Sequence, residues 1–267
     1  FIGAGNMGQI AHLRNYAQLG DECELVAIAD LRTSLAEEVA RRYGIAEVYP
    51  DHTSLLANAD VDAVVAIMGY SHHHNVVPDI LNAGKHLLTE KPIANDYRHA
   101  GVWKQIADDN DLVYLVGYMK RWDIGARRVH ELVKQWRESG DCGEMRYVRC
   151  DMSGTDWTWG HDAALHAPRG GKVADGPPPV AEAFPEHFDA EETSYYNMNI
   201  NFYVHQANLL RFLLSEDYEL TYTHPGGKVL LATTDSGTAI SLEMSVHGIN
   251  QTWDETYRIC FDHAEID

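Results

Sequence analysis

Three glycines near the head of the chain, Gly3, Gly5 and Gly8 in FIGAGNMG, have the spacing G-x-G-x-x-G. That spacing suits a turn that cradles a diphosphate, if a strand precedes it and a helix follows. Gly3 then permits the tight turn, Gly5 lets backbone approach the anion, and Gly8 lets the helix pack close to the strand. Asn6 and Met7 fall in the first helical turn, whose free N–H groups and positive dipole end point at the phosphates. The next candidate is Asp30, at the end of ELVAIAD and about 20 residues further on, where a carboxylate accepts hydrogen bonds from ribose hydroxyls and repels a 2′-phosphate. This favours NAD, with NADP the less favoured cofactor, and Arg32, two residues on, softens the preference in principle. An Asp that merely caps a helix would explain Asp30 alone, but not the glycines as well.

The elements that must position these residues alternate. Short apolar runs, ELVAIAD, VDAVVAIM, HLLTEK and LVYLVGYM, are separated by stretches with apolar residues at helical spacing: TSLAEEVARRYG, HNVVPDILNAG and NDYRHAGVWKQIADDN. Such alternation predicts βαβ units and a parallel sheet. Thr33, Ser34 and Asn95 are the expected N-caps, and Gly44 and Gly84 the expected left-handed C-terminal residues. After Met119 the pattern changes to a helix, a strand (EMRYVRCDM), a segment rich in Gly, Pro and Trp, a helix (NINFYVHQANLLRFLLS), and three successive strand-like stretches. Strands without intervening helices suggest an antiparallel sheet. The expected organisation is α/β: a Rossmann-type parallel sheet over 1–119, then an α+β domain over 120–267 built on a mainly antiparallel sheet, with a long loop at 153–192. Only Phe1 and Ile2 precede the glycine turn and the last residues read as strand, so the chain is expected to be truncated at both ends.

Composition excludes several classes. Lys and Arg number 21 against 40 Asp and Glu, a formal charge of −19 that repels nucleic acid and anionic lipid. No apolar run approaches the roughly 20 residues of a membrane span. Cys23, Cys142, Cys150 and Cys260 form no C-x-x-C pair, which fits a reducing, cytoplasmic setting, although an export signal upstream of the visible start is not ruled out. His72, His73 and His74 are consecutive, but adjacent residues on a forming helix diverge, so no metal site is expected.

The stretch NAGKHLLTEKPIA, taken with GAGNMG and VGYMKRWD, closely resembles the Gfo/Idh/MocA family of nicotinamide-dependent oxidoreductases, most of which act on sugars, inositols and related polyols. The resemblance covers Phe1 to about Asp151 and resumes at Asn197. It implies that Lys91, in Glu90-Lys91-Pro92, reaches toward the substrate hydroxyl and the nicotinamide. It implies a general base at His205, where the family has Asp-x-x-x-His; here Asn201 stands at the Asp position and can orient by hydrogen bonding but brings no charge. Gly69-Tyr70 replaces a Pro-Asn pair common in the family near the nicotinamide ribose, and His73 matches a family histidine beside it. Arg121 and Trp122 match a segment lining the substrate cleft. Trp157, Trp159 and Tyr195 are candidates to stack on a sugar, with a hydrophobic anchoring role as the alternative for the Trp pair.

The resemblance therefore implies an NAD-dependent dehydrogenase of a sugar, glycoside or cyclic polyol, a homo-oligomer associating through its C-terminal sheet. Two rivals stay open: a glycosidase that keeps NAD and uses transient oxidation, and a dinucleotide sensor without catalysis.

Overall fold

The computed structural model describes residues 1–153, 187–245 and 253–267. They fall into two units, Phe1–Gly117 with 187–197, and 118–153 with 198–245 and 253–267. The first unit ends at Gly117 rather than at 119 and takes in 187–197, which the sequence reading gave to the second domain.

In the first unit, strands β1 (Ala27–Ala29), β2 (Glu47–Tyr49), β3 (Ala63–Ala66), β4 (His86–Thr89) and β5 (Tyr114–Val116) pair in parallel, β1 with β2 and β3 through β4 to β5. Ile2 joins the two groups by bridging Ala29 on one side and Ala66 on the other. Its N–H donates to Val65 O at 2.9 Å and its carbonyl accepts from Ile67 N at 2.7 Å. The order is thus β2-β1-Ile2-β3-β4-β5, and the strand order reverses at Ile2. Ligands of open parallel sheets bind beyond the strand ends at such a reversal, and Gly3 is the next residue.

Helices cover the sheet because their apolar residues recur on one side. The first, α1, runs through Gly8–Leu13 into Arg14–Tyr16, and its Gly8–Leu13 part is π-helical. In α2 (Thr33–Tyr43) the buried set is Leu35, Ala36, Val39 and Ala40, and Gly44 ends the helix at φ 70°. In α4 (His73–Asn82) it includes Val76, Val77, Ile80 and Leu81, each about 1.5–3 kcal/mol of apolar burial for the larger side chains. Thr33 proves to be the first helical residue, with Arg32 at the cap position and no side-chain cap. The cap of α5 (Tyr97–Asp109) is Asp96 rather than Asn95, accepting from Arg98 N at 2.7 Å. Between them α3 (His52–Asn58), capped by Asp51 through Ser54 N, and β2 are elements too short to leave a periodic signal.

In chain order the second unit begins with α6 (Ile124–Ser139) and β6 (Met145–Ser153). After α7 (Ala190–Met198) it resumes with a π-helical turn, Asn199–Tyr203, leading into α8 (Val204–Leu214). Then follow β7 (Tyr218–Thr223), β8 (Val229–Thr234), β9 (Ala239–Ser245), β10 (Asp254–Phe261) and β11 (Glu265–Ile266). The sheet order is β11-β10-β6-β9-β8-β7. Every pairing is antiparallel except β6 with β9, so the sheet is mainly antiparallel. Val148, Cys150, Met152, Ile240, Leu242 and Ile259 face Leu209, Leu210, Leu213 and Leu214 of α8 in one core.

The expected loop at 153–192 is shortened at its far end by α7. Asp189 Oδ1 accepts from Glu191 N and Glu192 N, and Glu192 Oε2 accepts from Asp189 N, a reciprocal capping box that starts the helix at Ala190. Trp157 and Trp159, with His161 and His166, lie outside the described residues. No helix among the described residues is long and apolar enough to cross a membrane.

Candidate functional site

The glycine turn shows a separate reason for each glycine. Gly3 has φ +98°, and a Cβ there would lie 2.0 Å from Ile67 O. A Cβ on Gly8 would lie 2.5 Å from Gly3 O, so the helix can start this close only without one. Gly5 differs: among the described residues an added Cβ meets nothing nearer than Arg32 Nη2 at 3.7 Å. The fold does not need glycine there, whereas a ligand approaching the backbone does. Ala4 is pinned from both sides, its N–H to Asp30 Oδ2 at 2.8 Å and its carbonyl by Gln9 Nε2 at 2.7 Å. The chain enters its first helical turn at Asn6 and Met7. Open backbone at a helix start, held rigid at the sheet's reversal, fits the diphosphate of a dinucleotide.

Asp30 is buried and does more than the sequence suggested. Besides Ala4 N it accepts from Arg32 N at 2.8 Å and from Arg32 Nε and Nη2 at 3.0 and 3.1 Å. The guanidinium thus spans both carboxylate oxygens and lies beside the turn.

Beyond the end of β4 stand Glu90 and Lys91, with a cis peptide bond from Lys91 to Pro92. Lys91 is half-buried; burial lowers its pKa, opposed in part by the charge of Glu90. Burial pushes the Glu90 carboxyl up, but a hydrogen bond from His12, the charges of His12 and Lys91 and the Lys91 N–H outweigh it, so the net shift is downward. His12 Nε2 is 2.8 Å from Glu90 Oε1. Sequence reasoning missed His12, because no local pattern links residues 78 positions apart.

Gly69, past the end of β3, starts a single 3-10 turn over Tyr70–His72. Tyr70 OH donates to Asn197 Oδ1 at 3.1 Å and Tyr196 OH to Asn95 O at 2.7 Å, so α7 is tied to the loops after β3 and after Pro92. Tyr195, beside these anchors, is half-buried. His73, expected at the cofactor, has a fully buried ring with Nδ1 3.1 Å from Ile93 O. Burial lowers its pKa, and the ring ties the start of α4 to the loop after Lys91.

In the second unit, Asn201 lies within the π-helical turn and His205 in the first turn of α8. A spacing of four is slightly less than one π turn where it is slightly more than one α turn, so the two residues stay on neighbouring faces. Arg121 Nε donates to Asn208 Oδ1 at 2.6 Å and its guanidinium lies 5.4 Å from the Phe212 ring centre, which commits it to the helix beyond His205. Trp122 is 66% exposed, leaving a broad apolar face open. The segment carrying both is fixed by Lys120, whose ammonium pairs with Glu255 and sits over the Trp253 ring. Among the described residues no group of three or more His, Cys, Asp or Glu is placed to hold a metal ion.

Residues 1–118 match the family model described as an oxidoreductase family with an NAD-binding Rossmann fold, Gfo/Idh/MocA. An inositol 2-dehydrogenase/D-chiro-inositol 3-dehydrogenase of Lacticaseibacillus casei is 36% identical over 135 residues, 49% of this chain and 38% of that protein. An inositol 2-dehydrogenase of Pseudomonas savastanoi pv. phaseolicola is 28% identical over 262 residues, 92% of this chain and 66% of that protein. The chain therefore spans less than two thirds of the length of these relatives. The crystal structure of myo-inositol dehydrogenase from Lactobacillus casei, in complex with NAD(H) and myo-inositol, superposes with a TM-score of 0.73 at 23% identity, covering 99% of this chain and 71% of that one. That likeness establishes the fold. The first 118 residues of this chain are thus similar to the Gfo/Idh/MocA oxidoreductases with an NAD-binding Rossmann fold.

Proposed function

We propose that the protein is an NAD-dependent oxidoreductase moving hydride between a secondary alcohol of a cyclic polyol, sugar or glycoside and the nicotinamide. The observation that carries this reading is the open backbone over Gly5 at the sheet's reversal, together with a half-buried ammonium beyond the end of β4. The names of the relatives, inositol dehydrogenases, favour a cyclic polyol. When bound, NAD supplies the hydride acceptor at C4 of its nicotinamide.

The chain's own residues do the rest. The turn amides and the start of α1 hold the diphosphate, and Asp30 accepts from the adenosine ribose hydroxyls once Arg32 swings aside. Lys91 stabilises negative charge developing on the substrate oxygen, which a desolvated ammonium does more strongly than a hydrated one. His205 takes the hydroxyl proton, a role typically worth about 10²- to 10⁴-fold. In the second unit Asn201 orients by hydrogen bonding and Trp122 offers a flat face to the substrate ring, while Arg121, held by Asn208 and Phe212, supports the segment that carries Trp122. A reducing, cytoplasmic setting suits the four free thiols.

The open face of the second sheet carries Tyr147, Val229, Leu231 and Tyr222, all more than a third exposed, beside Arg149 paired with Glu243. A second copy of the chain is the proposed cover, which light scattering on the full-length protein tests.

Incubating the full-length protein with NAD and a panel of inositols, hexoses and aryl glycosides tests the main reading. NADH formation supports it. Sugar release without NADH favours the glycosidase, and binding of NAD without turnover on any member favours the sensor.

Cofactor choice gives a separate prediction. Asp30→Ser removes the carboxylate that both faces the ribose and holds Arg32, freeing the guanidinium for a 2′-phosphate. The ratio of kcat/KM for NADP over NAD is expected to rise at least about tenfold, about 1.4 kcal/mol. An unchanged ratio would remove Asp30 from the ribose site.

A further inference from the structure

The π-helical turn of α1 has no explanation in the glycine turn itself. Such turns are rare, carry one residue more than an α turn, and are found frequently at functional sites. Here the wide turn spans Gly8–Leu13, and the side chain it delivers to the sheet edge is that of His12. His12 Nε2 stands 2.8 Å from Glu90 Oε1, and both side chains are largely buried, 14% and 16% exposed. The other carboxylate oxygen, Oε2, accepts the backbone N–H of Lys91 at 3.2 Å. On the β5 side, Gly117 leaves the room: a Cβ there would lie 3.5 Å from Glu90 Oε1 and 3.3 Å from Thr89 O. The carboxylate is therefore held through Oε1 by a histidine from α1 and through Oε2 by the Lys91 backbone, with bare backbone beyond β5 on the Oε1 side.

We propose that His12 is a positioning residue for Lys91: it holds the Glu90 carboxylate in the one orientation that grips the Lys91 backbone and faces its ammonium. The inference rests on the reading of Lys91 as the residue that handles charge at the substrate oxygen. Among the described residues, three charged or titratable groups face Glu90: His12 from α1, Lys91 on its own segment, and His73 from α4. His73 is fully buried and held to Ile93 O, so its influence is fixed, and His12 is the partner whose hydrogen bond sets where the carboxylate stands. Because the charge of Glu90 opposes the effect of burial on Lys91, a displaced carboxylate leaves the ammonium less supported and its proton more easily lost.

The test uses the full-length protein with NAD and the polyol it oxidises, comparing His12→Ala, His12→Gln, His12→Phe and Lys91→Ala. In His12→Ala, kcat is expected to fall at least about tenfold while KM and the NAD dissociation constant stay within about threefold. The limb of the kcat–pH profile that reports Lys91 is expected to move to lower pH by about half a unit or more. His12→Gln, whose amide can donate from the same place, should restore kcat to within about threefold and return the limb to its original position. His12→Phe, which keeps a ring at that position but cannot donate, should move the same limb as His12→Ala, and it carries the test together with His12→Gln if His12→Ala does not fold. A lowered melting temperature with an unchanged pH profile would reduce His12 to a tie between α1 and β4 and overturn the proposal. Loss of turnover in Lys91→Ala with a wild-type profile in His12→Ala overturns this inference alone. Retained turnover in Lys91→Ala overturns the reading of Lys91 and, with it, any role for His12 in positioning that residue.

Discussion

Lys91→Ala is expected to lower kcat by about 10³-fold or more while leaving the affinity for NAD within about tenfold, some 1.4 kcal/mol. The asymmetry follows from where the residue stands. The diphosphate grip belongs to the turn after Ile2, whose amides and pinned Ala4 do not depend on Lys91. Lys91 lies beyond β4, where burial has already weakened its hold on its proton, and its removal takes away charge stabilisation needed only as the substrate oxygen turns negative. Steady-state kinetics with calorimetry of NAD binding separates the two effects. Retained turnover would take Lys91 out of the mechanism, and loss of NAD affinity in proportion to rate would make it a binding residue.

The second large effect is a contrast between two glycines. Gly3→Ala forces a side chain onto φ +98° with its Cβ 2.0 Å from Ile67 O. Backbone strain of about 1–3 kcal/mol and overpacking of about 1–3 kcal/mol both apply. That is a large share of the roughly 5–15 kcal/mol that keeps a domain folded. The melting temperature should drop by several degrees at least, and the central bridge between β1 and β3 is what fails. Gly5→Ala, outside the left-handed region and with open space around it, should leave stability unchanged or raise it by about 0.4–1 kcal/mol. Yet it should weaken NAD binding at least about tenfold, because a methyl group would occupy the space where the diphosphate meets the backbone. Wild-type NAD affinity in Gly5→Ala would move the phosphates away from this turn.

The legible parts of the fold were those where one residue type answers one backbone demand. Leu35, Ala36, Val39 and Ala40 bury one stripe of α2, and Gly44 ends it. The runs that became β3 and β4 are continuous and apolar because both faces of a parallel strand are covered. Strand β2 and helix α3 were not legible, since three and seven residues are too few to show a period. The start of α7 was legible and passed over: Asp189-x-x-Glu192 is a capping pattern, obscured by the irregular segment before it. The π turns leave no compositional trace, so His12 could not be paired with Glu90 from spacing, and the irregular turn that carries Asn201 ahead of His205 was not foreseen. The full burial of His73 was not legible because burial of a histidine is decided by what packs on it, and a local motif does not carry that information.

The place of β6 in its sheet has a kinetic consequence. Tyr147 is opposite Ala239 on one side and Cys260 on the other, so both neighbours of this strand are made roughly a hundred residues after it. During synthesis β6 must wait with both rows of backbone amides and carbonyls uncovered, while β1 and β2 can zip up within a few tens of residues. Exposed edges of that kind recruit other chains, so nascent polypeptides stalled before Ala239 are the species most in need of a chaperone.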